Sequence, residues 1–184
     1  MSTILQKLLA CHSSPAICGI KPSNLINMKY SDSLYEEIEE LNRLYPRLCF
    51  YILKRNKDNV LVLVYRKKVL EATLFKDDNK SFLEELGYDT TSMDLMLLSL
   101  KERMENDDFP HEIGVFLGYD LSDIKSFING NACLYVGYWK VYSKVSEKIK
   151  IFNRYTRCKE IVNKMIDRGY PLENFMRWGG LYFE

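Results

Sequence analysis

The chain has 184 residues and a formal net charge of +1 at pH 7, and 47% of its residues are hydrophobic and 13% aromatic. This length and composition suit one domain with a sizeable core and exclude a disordered chain. The near-neutral charge argues against a general nucleic-acid binder. No apolar run approaches the roughly 18 residues needed to cross a membrane. We therefore expect no membrane contact. The five cysteines are scattered, so we expect reduced thiols and a cytoplasmic location.

The N-terminal 30 residues predict one short apolar helix followed by a loop. Pro15, Gly19 and Pro22 interrupt every regular pattern after that helix, and residues of this kind mark turns and loops. His12, which is one of only two histidines in the chain, falls in this segment. The loop is therefore a candidate place for a polar functional group.

A second helix and a β-hairpin are predicted to follow. Ser33 and Glu36 form the capping box of a helix that ends before Pro46. Two runs rich in β-forming residues, 48–53 and 60–65, predict antiparallel strands. The second run is apolar on both faces, so we expect it at the centre of a sheet that is covered on both sides.

The rest of the chain predicts further helices and one more strand, over residues 133–142. The helices are expected over residues 67–75, 81–86, 91–104, 110–118, 120–130 and 143–167. In the helix that Asp120 caps, Ile124, Phe127 and Ile128 are expected to point inward. Together these elements predict a single α+β domain over residues 1–184, with a small, mostly antiparallel sheet of about three strands packed with several helices.

The most informative stretch is 109–119 (FPHEIGVFLGY), where the second histidine stands beside a carboxylate. Pro110 suits the first turn of a short helix. Gly114 and Gly118 follow four residues apart, and a glycine inside a helix costs about 1 kcal/mol relative to alanine. A segment that accepts this cost needs a close approach of its backbone, either to packing or to a ligand.

His111 and Glu112 could serve as an acid–base pair with an orienting carboxylate, or as metal ligands. Adjacent helical residues point about 100° apart, however, and the residue four positions after His111 is Val115 rather than a second histidine. The structural alternative is that Glu112 complements the helix N-terminus and His111 satisfies a local backbone group. A metal site drawn from His12, His111, Glu112 and a cysteine is a further possibility, although no spacing demands one.

Cys11 stands next to His12, and a thiolate beside a histidine is the arrangement found in cysteine hydrolases. Catalytic Cys and His are usually distant in sequence, so His111 would be the better partner for Cys11. A structural cysteine is the alternative. The catalytic candidates are therefore His12, His111, Glu112 and Cys11, and the sequence does not decide whether the protein is an enzyme.

Two lysines are candidate anion contacts. Lys140 follows Trp139 in an aromatic strand, where its ammonium group could hold an anion over an aromatic floor. Lys21 lies in a glycine-containing loop close to Asn24, although no P-loop pattern is present. The alternative for Lys140 is an edge-strand lysine that reaches water. With Tyr119, these residues make up the predicted ligand-binding set.

The charged helices suggest a different class of function. From Lys140 to Arg168 the chain carries nine lysines or arginines and three acids, whereas residues 36–40 are acidic. These faces could meet across a homo-oligomer, or contact an acidic protein or nucleic acid. A solvated charged face is the structural alternative. The short helix after Asp120 is acidic, which argues against DNA binding by a helix-turn-helix.

Three motifs carry a resemblance to a known family. Residues 109–119, the later GYWKVY at 137–142, and GIK at 19–21 with Asn24 resemble the bacterial family called domain of unknown function 3793. The similarity runs along nearly the whole chain. It implies a small cytoplasmic protein of bacteria, and it implies no established activity. Ser13 stands where the family pattern has a cysteine, which weakens covalent cysteine catalysis more than it weakens binding.

The main hypothesis is a small-molecule pocket where the His12 loop, the His111 helix and the Trp139–Lys140 strand converge. If Lys140 or Lys21 contacts the ligand, we expect the ligand to be anionic. The sequence does not indicate a cofactor. A non-enzymatic interaction module or homodimer that uses the charged helices is one alternative. A metal or redox accessory protein is the other.

Overall fold

The structure is a computed structural model that describes residues 1–105 and 109–178. Its elements, in chain order, are α1 (Thr3–Ile17), β1 (Ser23–Lys29), α2 (Asp32–Leu44), β2 (Leu48–Arg55), β3 (Asn59–Arg66), α3 (Lys67–Leu74), α4 (Asp77–Glu85), α5 (Met93–Met104), α6 (Ile113–Phe116), α7 (Leu121–Ile128), β4 (Tyr135–Val136), β5 (Lys140–Val141), α8 (Val145–Asp167) and α9 (Glu173–Trp178). The predicted α+β class with a small antiparallel sheet is confirmed.

The chain divides into two compact units, each described by itself. The sheet unit comprises Met1–Val69 and the described residues from Tyr155 on. The cavity unit comprises Leu70–Arg154. That the whole chain is one domain stays a prediction.

The sheet unit is built on three antiparallel strands in the order β1-β3-β2. β3 is central, as predicted, because Leu63 pairs with Leu25 of β1 on one side and with Tyr51 of β2 on the other. Val62 and Leu63 are both fully buried, so both faces of this strand are covered. α1 packs on β1 and β3, and α2 packs on β2.

The predicted N-terminal loop is wrong, because α1 extends to Ile17 with Pro15 inside its last turn. A proline lacks the N–H that would bond four residues back, so α1 lacks the bond to the carbonyl of Cys11 but continues for two more residues. Gly19, with φ 77°, then turns the chain toward β1. No prediction covers β1, although its burial alternates from Ile26 to Lys29 with the period of a strand.

Arg66, at the end of β3, joins distant parts of the sheet unit. Its buried guanidinium donates from Nε to the carbonyl of Ile17 at 2.7 Å, and from Nη2 to the carbonyls of Phe175 and Met176 at 2.8 and 2.9 Å. These carbonyls belong to the last turns of α1 and α9, where no intrahelical donor is left for them. One side chain therefore caps two helix ends.

The cavity unit consists of short helices and a two-stranded hairpin. Four of the predicted helices are found here, with shifted bounds, as α3, α4, α5 and α7. Asp120 caps α7 as predicted, since its carboxylate accepts from the backbone N–H of Ser122 at 2.9 Å. α6 is a single turn of four residues, shorter than expected.

The predicted strand over residues 133–142 is also wrong, because this segment folds back on itself as the β4–β5 hairpin. The turn is at Gly137, whose N–H donates to the carbonyl of Trp139 at 3.0 Å. A Cβ on Gly137 would lie 2.2 Å from the ring of Phe152. Only a glycine lets the turn approach that ring so closely, and the close approach replaces a straight strand with a hairpin.

Candidate functional site

The cavity unit contains an open cavity of about 390 Å³. This volume lies in the range of small-molecule sites and far exceeds the roughly 30 Å³ of one water. The lining consists of Phe109, His111, Ile113, Gly114, Leu117, Tyr119, Asp123, Ile124, Phe127, Trp139 and Lys140. Most of these side chains are apolar or aromatic, so the cavity favours an apolar occupant.

Gly114 allows two walls of the cavity to pack together. A Cβ at this position would stand 2.9 Å from Ile124 of α7 and 3.1 Å from Tyr119. Side chains do not tolerate the shorter of these distances without a shift, so glycine is needed for α6 to pack this closely against α7. Gly118 has φ 72°, which favours glycine, and turns the chain between the two helices. The close backbone approach expected at Gly114 is therefore a packing contact with Ile124 and Tyr119.

A buried carboxylate holds the aromatic wall in place. Asp123, which is 1% exposed, accepts hydrogen bonds from Trp139 Nε1 and from the backbone N–H of Tyr142, both at 2.8 Å. The buried ammonium group of Lys148 lies 3.5 Å from the same carboxylate. A buried charge is costly unless it is paired and hydrogen-bonded, so these donors fix the position of Asp123.

Trp139 is the centre of an aromatic cluster. Its indole stacks on Tyr119 with ring centroids 4.6 Å apart, and meets Phe152 edge-on at 4.5 Å. Both are favoured geometries, worth about 0.5–1.5 kcal/mol each beyond area burial. Because Asp123 accepts the indole N–H, Trp139 offers the cavity apolar surface only.

Lys148 is shared by two carboxylates, since it also forms an ion pair with Asp120. Burial alone would raise the pKa of Asp120, but hydrogen bonds from Lys148 and Ser122 outweigh it and lower that pKa to about 2. Asp120 is the N-cap of α7, where negative charge also meets the positive end of the helix dipole. The ion pairs therefore hold the first turns of α7 and α8 together.

Two polar side chains stand at the exposed rim of the cavity, both against the ring of Phe127. The exposed His111 imidazole meets this ring edge-on, with centroids 4.9 Å apart, and Lys140 Nζ lies 5.1 Å from the ring centroid. Over the two described ranges, neither side chain makes a hydrogen bond or ion pair. Phe127 and Ile128 are 37% and 46% exposed, so their predicted inward orientation is wrong, whereas Ile124 is buried as predicted.

Glu112 does not belong to the lining. Its buried carboxylate accepts from the Tyr88 hydroxyl at 3.0 Å and from Arg103 Nε at 2.6 Å. Burial, followed by the charge of Glu112, raises the pKa of Tyr88. Arg103 also donates to the carbonyl of Leu86 at 3.2 Å. These contacts hold α6 against α5 and account for Glu112 without a role toward His111.

Cys11, His12 and Asn24 lie in the sheet unit. Cys11 and His12 are adjacent and exposed on α1, not on a loop. Asn24 is buried, and its Oδ1 accepts from the backbone N–H of Ala16 at 3.1 Å. That bond fastens the last turn of α1 to β1, which gives Asn24 a structural role.

Lys21 is the remaining predicted ligand contact, and it is buried in the sheet unit. Its Nζ lies 5.9 Å from the ring centroid of Tyr155. Burial lowers the pKa of Lys21 from 10.5 to about 8. A lysine with such a pKa is more easily neutralised than a surface lysine, so its charge depends on pH in the alkaline range.

The predicted metal candidates lie in three different settings. His12 is on α1, His111 is at the cavity rim, and Glu112 is bound to Arg103. Within the described part of the chain, no group of three or more His, Cys, Asp or Glu residues is placed to hold a metal ion. A metal or redox accessory role stays a prediction.

Of the residues predicted to share one pocket, the cavity brings together His111, Tyr119, Trp139 and Lys140. The two charges that support this cavity, Asp123 and Lys148, are absent from the predicted set. A signal for Lys148 exists, because it is a lone lysine on the apolar face that includes Phe152. A charge on a buried face requires a partner, and Asp120 and Asp123 are the partners found.

The fold and the cavity define a mixed α+β protein with an aromatic, open cavity in one of its units. The chain belongs to the family described as Protein of unknown function (DUF3793), whose model matches residues 9–176. The resemblance seen in the 109–119 motif is thereby confirmed. No curated protein and no solved structure matches the chain. Among the helices that the structure describes, none is both long and apolar enough to cross a membrane.

Replacing Asp123 with asparagine should destabilise the fold by about 3 kcal/mol. The change removes a buried charge, and it turns an amide nitrogen toward one of the two N–H donors that the carboxylate now accepts from. Urea denaturation at pH 7 measures this effect. Asp120→Asn is the matched control, since Asp120 pairs with the same lysine but has a side chain that is 37% exposed. It should cost less than about 1 kcal/mol. Equal losses in the two variants would contradict the role given to Asp123.

Lys21→Met should remove a pH-dependent contribution to stability. Below pH 8 the folded chain holds Lys21 buried and charged, which lowers the free energy of unfolding. This cost is lost as the pH rises from the folded-state pKa of about 8 to the unfolded-state pKa of 10.5. The free energy of unfolding of the native chain, relative to Lys21→Met, should therefore rise by about 3 kcal/mol between pH 7 and pH 10.5. Lys29→Met, at an exposed position on β1, is the control and should leave the pH profile unchanged. If the free energies of unfolding of the native chain and Lys21→Met changed with pH in the same way, Lys21 would have the same pKa in the folded and unfolded states. That result would contradict the prediction.

Proposed function

We propose that this protein binds a small, largely apolar molecule in the cavity lined by residues 109–140. The observation that carries the proposal is the composition of the lining, which combines a continuous apolar and aromatic wall with polar side chains at an exposed rim. Ligand sites of small molecules have this composition, because burial supplies affinity while a few polar groups fix the orientation.

The walls of this open cavity are held in place by contacts of their own. On one side Gly114 lets α6 pack closely against α7, and on the other Asp123 is hydrogen-bonded to Trp139. A volume of about 390 Å³ remains between these fixed walls. Walls that are fixed in this way favour a preformed site.

Binding is the activity that the lining residues support best. The described lining includes no serine, threonine or cysteine that could act as a nucleophile next to His111. Cys11 belongs to the sheet unit, and Glu112 is engaged by Arg103. A cytoplasmic location goes with this proposal, and the five free thiols of the chain support it.

Truncation of one wall tests the proposal. Phe127→Ala should weaken the binding of small aromatic probes by about five- to tenfold, because it removes a ring from the lining. The measurement is a ligand-observed NMR titration with benzoate, indole and naphthalene-2-carboxamide. Phe75→Ala is the matched control, since Phe75 is also 37% exposed and lies in the same unit but not in the lining. The control should bind like the native chain.

Two results would overturn the proposal. The first is that none of the three probes binds the native chain. The second is that Phe127→Ala and Phe75→Ala bind the probes equally well, which would place the probe outside the cavity.

A further inference from the structure

The interior of the cavity leaves little for a polar ligand group to bind. Asp123 is the carboxylate of the lining. It already accepts from Trp139 and from the backbone of Tyr142, and it is ion-paired with Lys148. The indole N–H of Trp139 is used in the same contact. A polar group pushed into this wall would compete with a satisfied buried network, which is costly. The part of the ligand that enters the cavity should therefore be apolar.

The rim has the opposite character. His111 and Lys140 both line the cavity, both are exposed, and both contact the ring of Phe127. The ammonium group of Lys140 can only donate, and it forms no ion pair in the described ranges. An anionic acceptor that reached this rim would meet an unneutralised cation and an imidazole, over an aromatic ring.

We propose that the ligand is an aromatic acid, with its ring against Tyr119 and Trp139 and its anionic group between His111 and Lys140. This inference rests on the proposed function and adds the chemical class of the ligand. The aromatic part follows from the walls, because aromatic rings pack well on one another in offset or edge-on geometry. The acidic part follows from the rim, because Lys140 is placed where a charge-assisted hydrogen bond would fix the orientation of the ligand.

Matched probes separate the two parts of the proposal. Naphthalene-2-carboxylate and 2-naphthyl phosphate carry an anion, and naphthalene-2-carboxamide has the same ring without the charge. By isothermal titration calorimetry at low salt, at least one of the anions should bind about tenfold more tightly than the carboxamide. Added salt should reduce this advantage, because it screens the charge of an exposed lysine. The tighter anion identifies the acid as a carboxylate or a phosphate ester.

Lys140→Gln should bring the affinity for the anion down to that for the carboxamide, and should leave the carboxamide unaffected. Lys140→Arg, which keeps the charge, should retain most of the affinity. Lys125→Gln is the control, since the exposed Lys125 also stands over an aromatic ring, with Nζ 5.2 Å from the centroid of Phe82, but does not line the cavity. It should bind all three probes like the native chain.

The outcomes distinguish this inference from the function on which it rests. Equal affinity for anions and carboxamide, unchanged in Lys140→Gln, would overturn the aromatic acid while leaving a ligand cavity in place. Equal losses of anion affinity in Lys140→Gln and Lys125→Gln would also overturn it, because the effect would then come from net charge alone. Failure of all three probes to bind would overturn both proposals.

Discussion

The carboxylate of Asp123 is the contact on which the cavity unit depends. It gathers the indole of Trp139, the backbone of Tyr142 and the ammonium group of Lys148 around one buried charge. α7 is joined there to the end of the β4–β5 hairpin and the start of α8, which follow later in the chain. Without the carboxylate, the indole N–H of Trp139 and the backbone N–H of Tyr142 would lose this acceptor, and Lys148 would lose one of its two carboxylates. The bond from Trp139 to Asp123 therefore fixes the position of the aromatic wall.

The cavity has an interior wall whose carboxylate is hydrogen-bonded, and a rim where two polar side chains have no such bond within the described part of the chain. The carboxylate of Asp123 and the indole N–H of Trp139 are bonded to each other, so this part of the wall acts as an apolar surface although it contains a carboxylate. The side chains of His111 and Lys140, by contrast, stand against the ring of Phe127 and make no hydrogen bond or ion pair among the described residues. An apolar pocket with donors at its entrance orients a ligand that has an apolar body and an acceptor at one end. Glu112 is not part of the lining and stabilises the fold through its ion pair with Arg103.

Sequence reasoning succeeds where one local pattern decides the structure. The apolar run at 60–65 and the cap at Asp120 are such patterns, and both are found as expected. It fails where a long-range contact decides, as at Gly137, whose packing against Phe152 converts the expected strand into a hairpin. The two histidine segments show the same limit. The 109–119 motif identifies one wall of the cavity, but the sequence around His12 does not show that this residue lies on α1, in the other unit.

The most direct measurement is an assigned 15N–1H correlation spectrum of the full chain during titration with naphthalene-2-carboxylate. Saturable shifts should be confined to backbone amides of the lining and to the Nε1–H of Trp139, whose bond to Asp123 makes it sensitive to an occupant of the adjacent space. Amides of β1 and β2 should not move. Shifts that appear mainly on the sheet unit, or that never saturate, would contradict a ligand site in this cavity.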